Sequence, residues 1–402
     1  MDWRRVIADR VDTLPGSGVR RIFDLATRMR DPVNLSIGQP DFPVPEAIKR
    51  GAIEAISGND NGYSNTLGVP ALRTRVAQWL GADLGWDDVA IDGVGAGSRR
   101  VIITSGTSGA IYLAFMAMLA PGDEVILPDP YFVAYPPMAL LCGAKPVYCD
   151  TYPDFRMTAE RVEKLITPRT KAVLFNTPSN PGGVVASSRE CRDMLDLCRA
   201  RGIVLISDEI YDEFTYPAFR TERTSREVDG AFRARCPSPA RTGDDSRDVL
   251  LIRGFGKTYG VTGWRLGYAA GPRDLIEAMA KMQQFTFVCP PTPLQAGVAC
   301  AYDVDMDPVV LAYQKRRDMV VSRLREVTEV PEPGGAFYAF AKVPERLGLS
   351  ATAFVERCVE REVLVVPGGA FSSRDTHIRL SYAVREDKLE RGLSVLCELL
   401  RG

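Results

Sequence analysis

The sequence predicts an α/β protein. Its large unit is built on a mostly parallel, seven-stranded sheet sandwiched by helices, and a smaller α+β unit is drawn from both ends of the chain. Three observations predict this. Between about residues 100 and 270, short apolar or β-branched runs alternate with longer amphipathic stretches, the pattern of repeated β/α units. Runs such as IVLIS are apolar throughout, as strands covered on both faces are. The last third changes rhythm, with short strands set between two long helical patterns.

In chain order, the first 45 or so residues carry an isolated helical pattern and then the extended, Pro-rich NLSIGQPDFPVP. Such a segment has no core of its own and is expected to dock on another unit or a partner subunit. The candidate strands are VIIT (101–104), EVILP (124–128), KPVYC (145–149), AVLF (172–175), IVLIS (203–207), VLLI (249–252) and RLGYAA (265–270), with helices such as 109–119 and 187–201 between them. Then come a helix over 306–326, strands near 337–341, 363–366 and 377–382, and a closing helix over 385–400. The expected division is 1–46 and 292–402 for the small unit and 47–291 for the large one. Residues 218–248 are polar, charged and poor in aliphatic side chains, and read as an exposed loop.

Composition narrows the function classes. The chain has 402 residues, 46% hydrophobic and 25% charged, with a formal net charge of -1, so no basic field invites nucleic acid or an anionic membrane. No run reaches the length of a membrane span and the start lacks a secretory apolar core. Nine cysteines, without C-x-x-C pairs, point to a reducing cytoplasm. His377 is the only histidine, so neither a His-based triad nor a metal centre is expected. GVGAG (93–97) imitates a dinucleotide fingerprint, but Ser98 follows it and no apolar strand precedes it, so a hairpin tip is expected.

Several residues stand where chemistry is possible. Lys257 follows the strand VLLI among Gly254, Gly256 and Gly260; desolvation there would lower its pKa and make it a nucleophile or Schiff-base former. A surface lysine on a glycine-rich turn is the plain alternative. Arg265 offers a fixed cation for a phosphate, or a salt bridge at a strand end. Asp208 ends a buried strand, where a carboxylate can keep a pyridinium protonated or simply cap the next turn, and Tyr211 follows within reach. Gly106, Thr107 and Ser108 begin a helix after a strand, an anion cradle or an ordinary hydroxyl-capped start. Asn180, before Pro181 in a tight turn, can offer its amide to a ligand, and the Asn-Pro bond can be cis. Arg379 lies in an alternating strand, where it is either an inward guanidinium that calls for a carboxylate or an outward-facing charge.

The order of these signals resembles the aspartate-aminotransferase superfamily of pyridoxal-phosphate enzymes, fold type I, class I/II. The matching segments are NLSIGQPDFPVP, NGYSNTLGVPALR, TSGTSGAIYLAF, DPYFVAY, NTPSNPGG, SDEIYDEF, GFGKTYGVTGWRLGY and THIRLSYA, from about residue 30 to 395. The resemblance implies pyridoxal 5′-phosphate bound to Lys257, which then shuttles a proton at the substrate Cα. Asp208 would pair with the ring nitrogen, Asn180 and Tyr211 with the ring oxygen, and Phe132 would stack on the ring. Gly106, Thr107, Ser108 and Arg265 would hold the phosphate, with Tyr63 reaching the neighbouring subunit's phosphate in a homodimer. Arg379, Asn180 and the Gly38 backbone would grip the substrate α-carboxylate.

Relatives often carry hydroxyls at the positions of Gly254 and Gly256. Those that use aspartate often carry a lysine where Ser108 stands, or an arginine near Gln284, beside which this chain has Phe285 and Phe287. The reading is therefore an aminotransferase acting between an L-amino acid, neutral or aromatic, and a 2-oxo acid. The alternatives are a β-lyase, a cyclising synthase or a racemase-like enzyme on the same scaffold, and remotely a non-catalytic regulatory domain.

Overall fold

The computed structural model describes residues 1–14, 29, 31–91, 97–221, 236–241 and 248–402. All but Gly97 of the GVGAG tip and most of the polar 218–248 segment therefore lie outside the described residues, as does most of the early helical pattern.

All seven expected strands of the large sheet form: β3 (Arg99–Ser105), β4 (Glu124–Asp129), β5 (Lys145–Asp150), β6 (Thr170–Asn176), β7 (Val204–Asp208), β8 (Val249–Gly254) and β9 (Leu266–Pro272). An eighth, the two-residue β2 (Val89–Ala90), adds to the β3 edge. It corrects the seven-stranded expectation, and two residues are too few to leave a periodic signal. The order is β2-β3-β9-β8-β7-β6-β4-β5, and only β9 runs against its neighbours. Alternate residues enter two cores: Val101, Ile103, Leu205 and Leu251 pack on one face, Ile102, Ile206, Leu250 and Ile252 on the other. Burial on both faces is why these strands read as continuous apolar runs.

A third core joins Val33 and Leu35 to residues from Val310 to Leu400. Here β1 (Val33–Asn34) pairs in parallel with β11 (Val363–Leu364), which ties the Pro-rich N-terminal passage to the C-terminal third. The run expected as one strand near 363–366 is split: β11 pairs with β1, whereas β12 (Val366–Pro367) joins β13 (His377–Ser381) and β10 (Tyr338–Lys342). Val298, Ala301, Tyr302 and Met306 still pack on the large core, so core membership changes between Met306 and Val310.

Beneath the sheet's carboxyl edge lies a buried charge network. Arg253 donates to Glu209 (2.8 and 3.0 Å) and Asp83 (2.8 Å), with Asp212 at 3.3 Å. Arg241 also holds Asp83, and Ser207 and Ser238 donate to Glu209. Burial pushes the Asp212 carboxyl up, against the pull of Arg253. The segment Cys236–Arg241 is thus not exposed loop but core, because Ser238 and Arg241 satisfy carboxylates that cannot reach water. Arg253→Met should lower unfolding stability by about 3–5 kcal/mol in denaturant titration, since it removes the buried cation shared by three carboxylates. A loss within 1 kcal/mol, roughly a surface-pair effect, would contradict this account.

Candidate active site

Parallel strands bring their carboxyl ends to one edge, and this edge opens between the large and small cores into a cavity of about 260 Å³. Its walls include Ser36, Gly38, Phe132, Asn180, Tyr338 and Arg379. Asn176 ends β6, Asp208 ends β7, and the two are register partners, so their side chains emerge together.

Lys257 sits one turn past β8, in the short helix Phe255–Thr258. Its amine donates to the Gly38 carbonyl. Burial pulls its pKa down to about 8, and the nearby Arg379 and Arg265 add repulsion. Asp208 shows the opposite effect of the same cause: burial raises its carboxyl to about 6, while donors Tyr135 and the Ile210 amide oppose the rise. The Tyr135 hydroxyl donates at 2.6 Å and the Ile210 N–H at 3.2 Å. An amine and a carboxyl moved towards neutrality in one cavity are the signature of groups arranged for proton chemistry.

Of the two orientations open to Arg379, the inward one holds, for it is buried. Its guanidinium donates to the Asn180 side-chain carbonyl (3.0 Å) and the Ser36 carbonyl (2.8 Å). Its buried Nε has no partner among the described residues. An unsatisfied buried donor of this kind calls for an acceptor, and a carboxylate is the acceptor a guanidinium fits best. Asn180, its carbonyl taken, keeps its amide donors for a ligand, and the Asn180–Pro181 bond is cis.

The opposite end of the cavity is built for an anion. Helix Gly106–Met118 starts there with no side-chain cap, so its first N–H groups are open. Gly106 has φ +68, and a Cβ on it would lie 2.6 Å from the Arg265 guanidinium. Only glycine lets the cation approach this turn. A Cβ on Gly254 would meet the Ile210 Cδ1 methyl at 2.7 Å and the Thr107 Cγ2 methyl at 3.0 Å, so a larger side chain here requires both to shift. Thr107, Ser108, Phe132 and Tyr211 complete the lining.

One expected residue is elsewhere: Tyr63 is 89% exposed and does not line the cavity of its own chain. Sequence reasoning missed Tyr135, Asn176, Ser36 and Tyr338. Tyr135 lay inside the quoted DPYFVAY, where a tyrosine at the start of an apolar helix was the available signal. Asn176 receives the Asn180 N–H at 2.9 Å and donates to the Asp208 carbonyl at 2.9 Å, so it holds the two together. The Tyr211 and Tyr338 hydroxyls lie 2.9 Å apart.

Relatives match nearly the whole chain. A model of "Aminotransferase class I and II" matches residues 30–396. The chain is 33% identical to aromatic-amino-acid aminotransferase 2 of Thermococcus litoralis, covering 98% of each. It is likewise 33% identical to an aspartate aminotransferase of Pyrococcus abyssi, again covering 98% of each. Among solved structures, aspartate aminotransferase from Thermus thermophilus with maleate superposes with a TM-score of 0.85 at 30% identity, over 98% of this chain and 99% of that one. With a matching family model, full-length relatives and a cavity that pairs an amine, a carboxylate and an anion cradle, the chain belongs to the class I and II aminotransferases, enzymes that depend on pyridoxal phosphate.

Proposed function

We propose that this aminotransferase binds pyridoxal 5′-phosphate across the cavity and takes its amino group from an L-amino acid with a neutral or aromatic side chain. One observation carries the reading: Lys257, Asp208, Gly106, Arg265 and Arg379 all line a single cavity. The set fits the cofactor group by group. The open helix start and Arg265 suit its phosphate, the buried Asp208 suits a cationic ring nitrogen, and Asn180 and Tyr211 suit its ring oxygen. Phe132 lies where a ring can stack.

When bound, the cofactor supplies an aldehyde that condenses with amines and a ring that accepts the electron pair left at Cα. The protein supplies the rest. Lys257, its ammonium destabilised by burial, can be neutral near neutral pH, which lets it attach to an aldehyde and later carry a proton from Cα. Asp208, buried at the cavity wall, would keep a ring nitrogen protonated. Arg379, Asn180 and Gly38 would fix the α-carboxylate and so choose which Cα bond stands perpendicular to the ring.

The donor class rests on charge. The cations lining the cavity among the described residues are Lys257, Arg265 and Arg379, and each already has a task. Ser108 stands where aspartate-using relatives often place a lysine. The relatives' names include both aspartate and aromatic aminotransferases, so ancestry does not choose between them.

Tyr63, exposed on its own chain, together with exposed Phe285 (79%) and Phe287 (43%), supports a homodimer in which Tyr63 reaches the neighbouring subunit's phosphate end. Nine free cysteines support a cytoplasmic setting. Among the described residues no helix is long and apolar enough to cross a membrane. The separate third core supports the division into two units, with the small unit resuming after Met306.

Adding single L-amino acids to the holoenzyme should convert its visible band to the pyridoxamine form. Phenylalanine or a neutral aliphatic donor should outpace aspartate by at least about tenfold in kcat/KM, the scale of one missing charge contact. A preference for aspartate would sink the donor assignment. Arg379→Leu should cut kcat/KM by roughly 10²–10³-fold, the scale for one partner of a buried charge pair, while the band of the resting enzyme persists. In cofactor-free protein, reductive alkylation of Lys257 followed by mass spectrometry should accelerate as pH rises through about 8. The sign follows from a lowered pKa, which makes the reactive neutral amine available earlier. A rate still climbing towards the ordinary lysine range would contradict it.

A further inference from the structure

Tyr338 has no task in the reading above, yet it stands where three parts of the site meet. It opens β10, is 1% exposed, and places its hydroxyl 2.9 Å from that of Tyr211. The Arg379 guanidinium lies 4.5 Å from its ring centroid. A side chain at Gly38 would collide with its hydroxyl, so the N-terminal passage is shaped around it.

A phenol has one proton to give and lone pairs to receive. If Tyr211 spends its proton on a ligand oxygen in the cavity, the bond between the two hydroxyls must run from Tyr338 to Tyr211. A hydroxyl that receives a bond becomes a stronger donor in turn. We propose that Tyr338 is a positioning residue that fixes the direction of the Tyr211 hydrogen bond, strengthens it at the cofactor's ring oxygen, and so sets the proton affinity of the Lys257-linked chromophore. The inference rests on the cofactor reading proposed above.

The sign follows from charge. A donor at the ring oxygen favours the form with more negative charge there, which is the form that has lost the chromophore's proton. Tyr338 therefore lowers the pH at which that proton leaves. The charged or titratable groups facing the pair are Arg379, Asp208 and Tyr382, with Lys257 and Arg265 across the cavity. None of them changes when Tyr338 becomes phenylalanine, which keeps the ring and removes only the hydroxyl.

The test is a spectrophotometric pH titration of four holoenzymes: wild type, Tyr338→Phe, Tyr211→Phe and the double variant. Tyr338→Phe should raise the midpoint by about 0.5–1 pH unit, the size of one relayed hydrogen bond. With Tyr211 already replaced, removing the Tyr338 hydroxyl should add no further shift. Gly38→Ala, whose methyl displaces the same hydroxyl, should move the midpoint in the same direction. An unmoved midpoint in Tyr338→Phe overturns the proposal, even with a raised KM, since that would show packing against Arg379 alone. An equal shift in the Tyr211→Phe background overturns it too. A wild-type holoprotein without a titrating band overturns the cofactor reading itself, and this inference with it.

Discussion

Two carboxylates stand side by side at the end of β7, and the site depends on keeping them apart. Successive strand residues point to opposite faces, so Asp208 faces the cavity and Glu209 faces the sheet's other side. An uncompensated charge at Glu209 would push Asp208 towards its neutral form, and its repulsion is indeed among the influences raising that carboxyl. Arg253, a single fully buried guanidinium, answers Glu209 from β8 and ties Asp83 of helix Pro70–Leu84 into the same network. Asp208 is thereby left as the carboxylate the cavity sees. Ser238 and Arg241, near the end of the polar 218–248 segment, complete this floor.

Above the floor, one physical cause acts on both poles of the cavity. Low dielectric disfavours charge of either sign, so it lowers Lys257 and raises Asp208 together. Each is then a poor ion in isolation and a good partner for a ligand. In the proposed reading, a cationic ring nitrogen would favour the charged form of Asp208, and an aldehyde would take up the neutral amine of Lys257. Binding and readiness for chemistry thus have one origin.

Much of this was legible in the chain. The seven main strands announced themselves because both their faces are buried, and Lys257, Asp208, Asn180, Arg265 and Arg379 all reach the expected cavity. What escaped was of two kinds. Two-residue strands such as β2 and the split at 363–366 have too few residues to show a period. Tyr135, Tyr338 and Asn176 escaped because a buried tyrosine or strand-end asparagine looks like ordinary core or turn until its partner is known. The partners of Tyr135 and Tyr338, Asp208 and Tyr211, stand far away in sequence. The polar 218–248 segment was misread in its last part for the same reason: Ser238 and Arg241 look like solvated polar residues, and only the buried carboxylates of Glu209 and Asp83 draw them inward.

The carboxylate clamp shows why local reading has this limit. Arg379 belongs to the small core, Asn180 to the large one, and Ser36 to the N-terminal passage that joins the small core through β1. No one of the three segments specifies the clamp. It exists only when both cores have folded and the N-terminal strand has added to β11, so the geometry that orients a substrate also reports the assembly of the chain. The unsatisfied Nε marks the place where the protein alone is incomplete. A buried donor held by two neutral carbonyls carries charge that neither neutralises. An anionic carboxylate on this guanidinium would satisfy the charge, so the proposed substrate contact would also bridge the two cores.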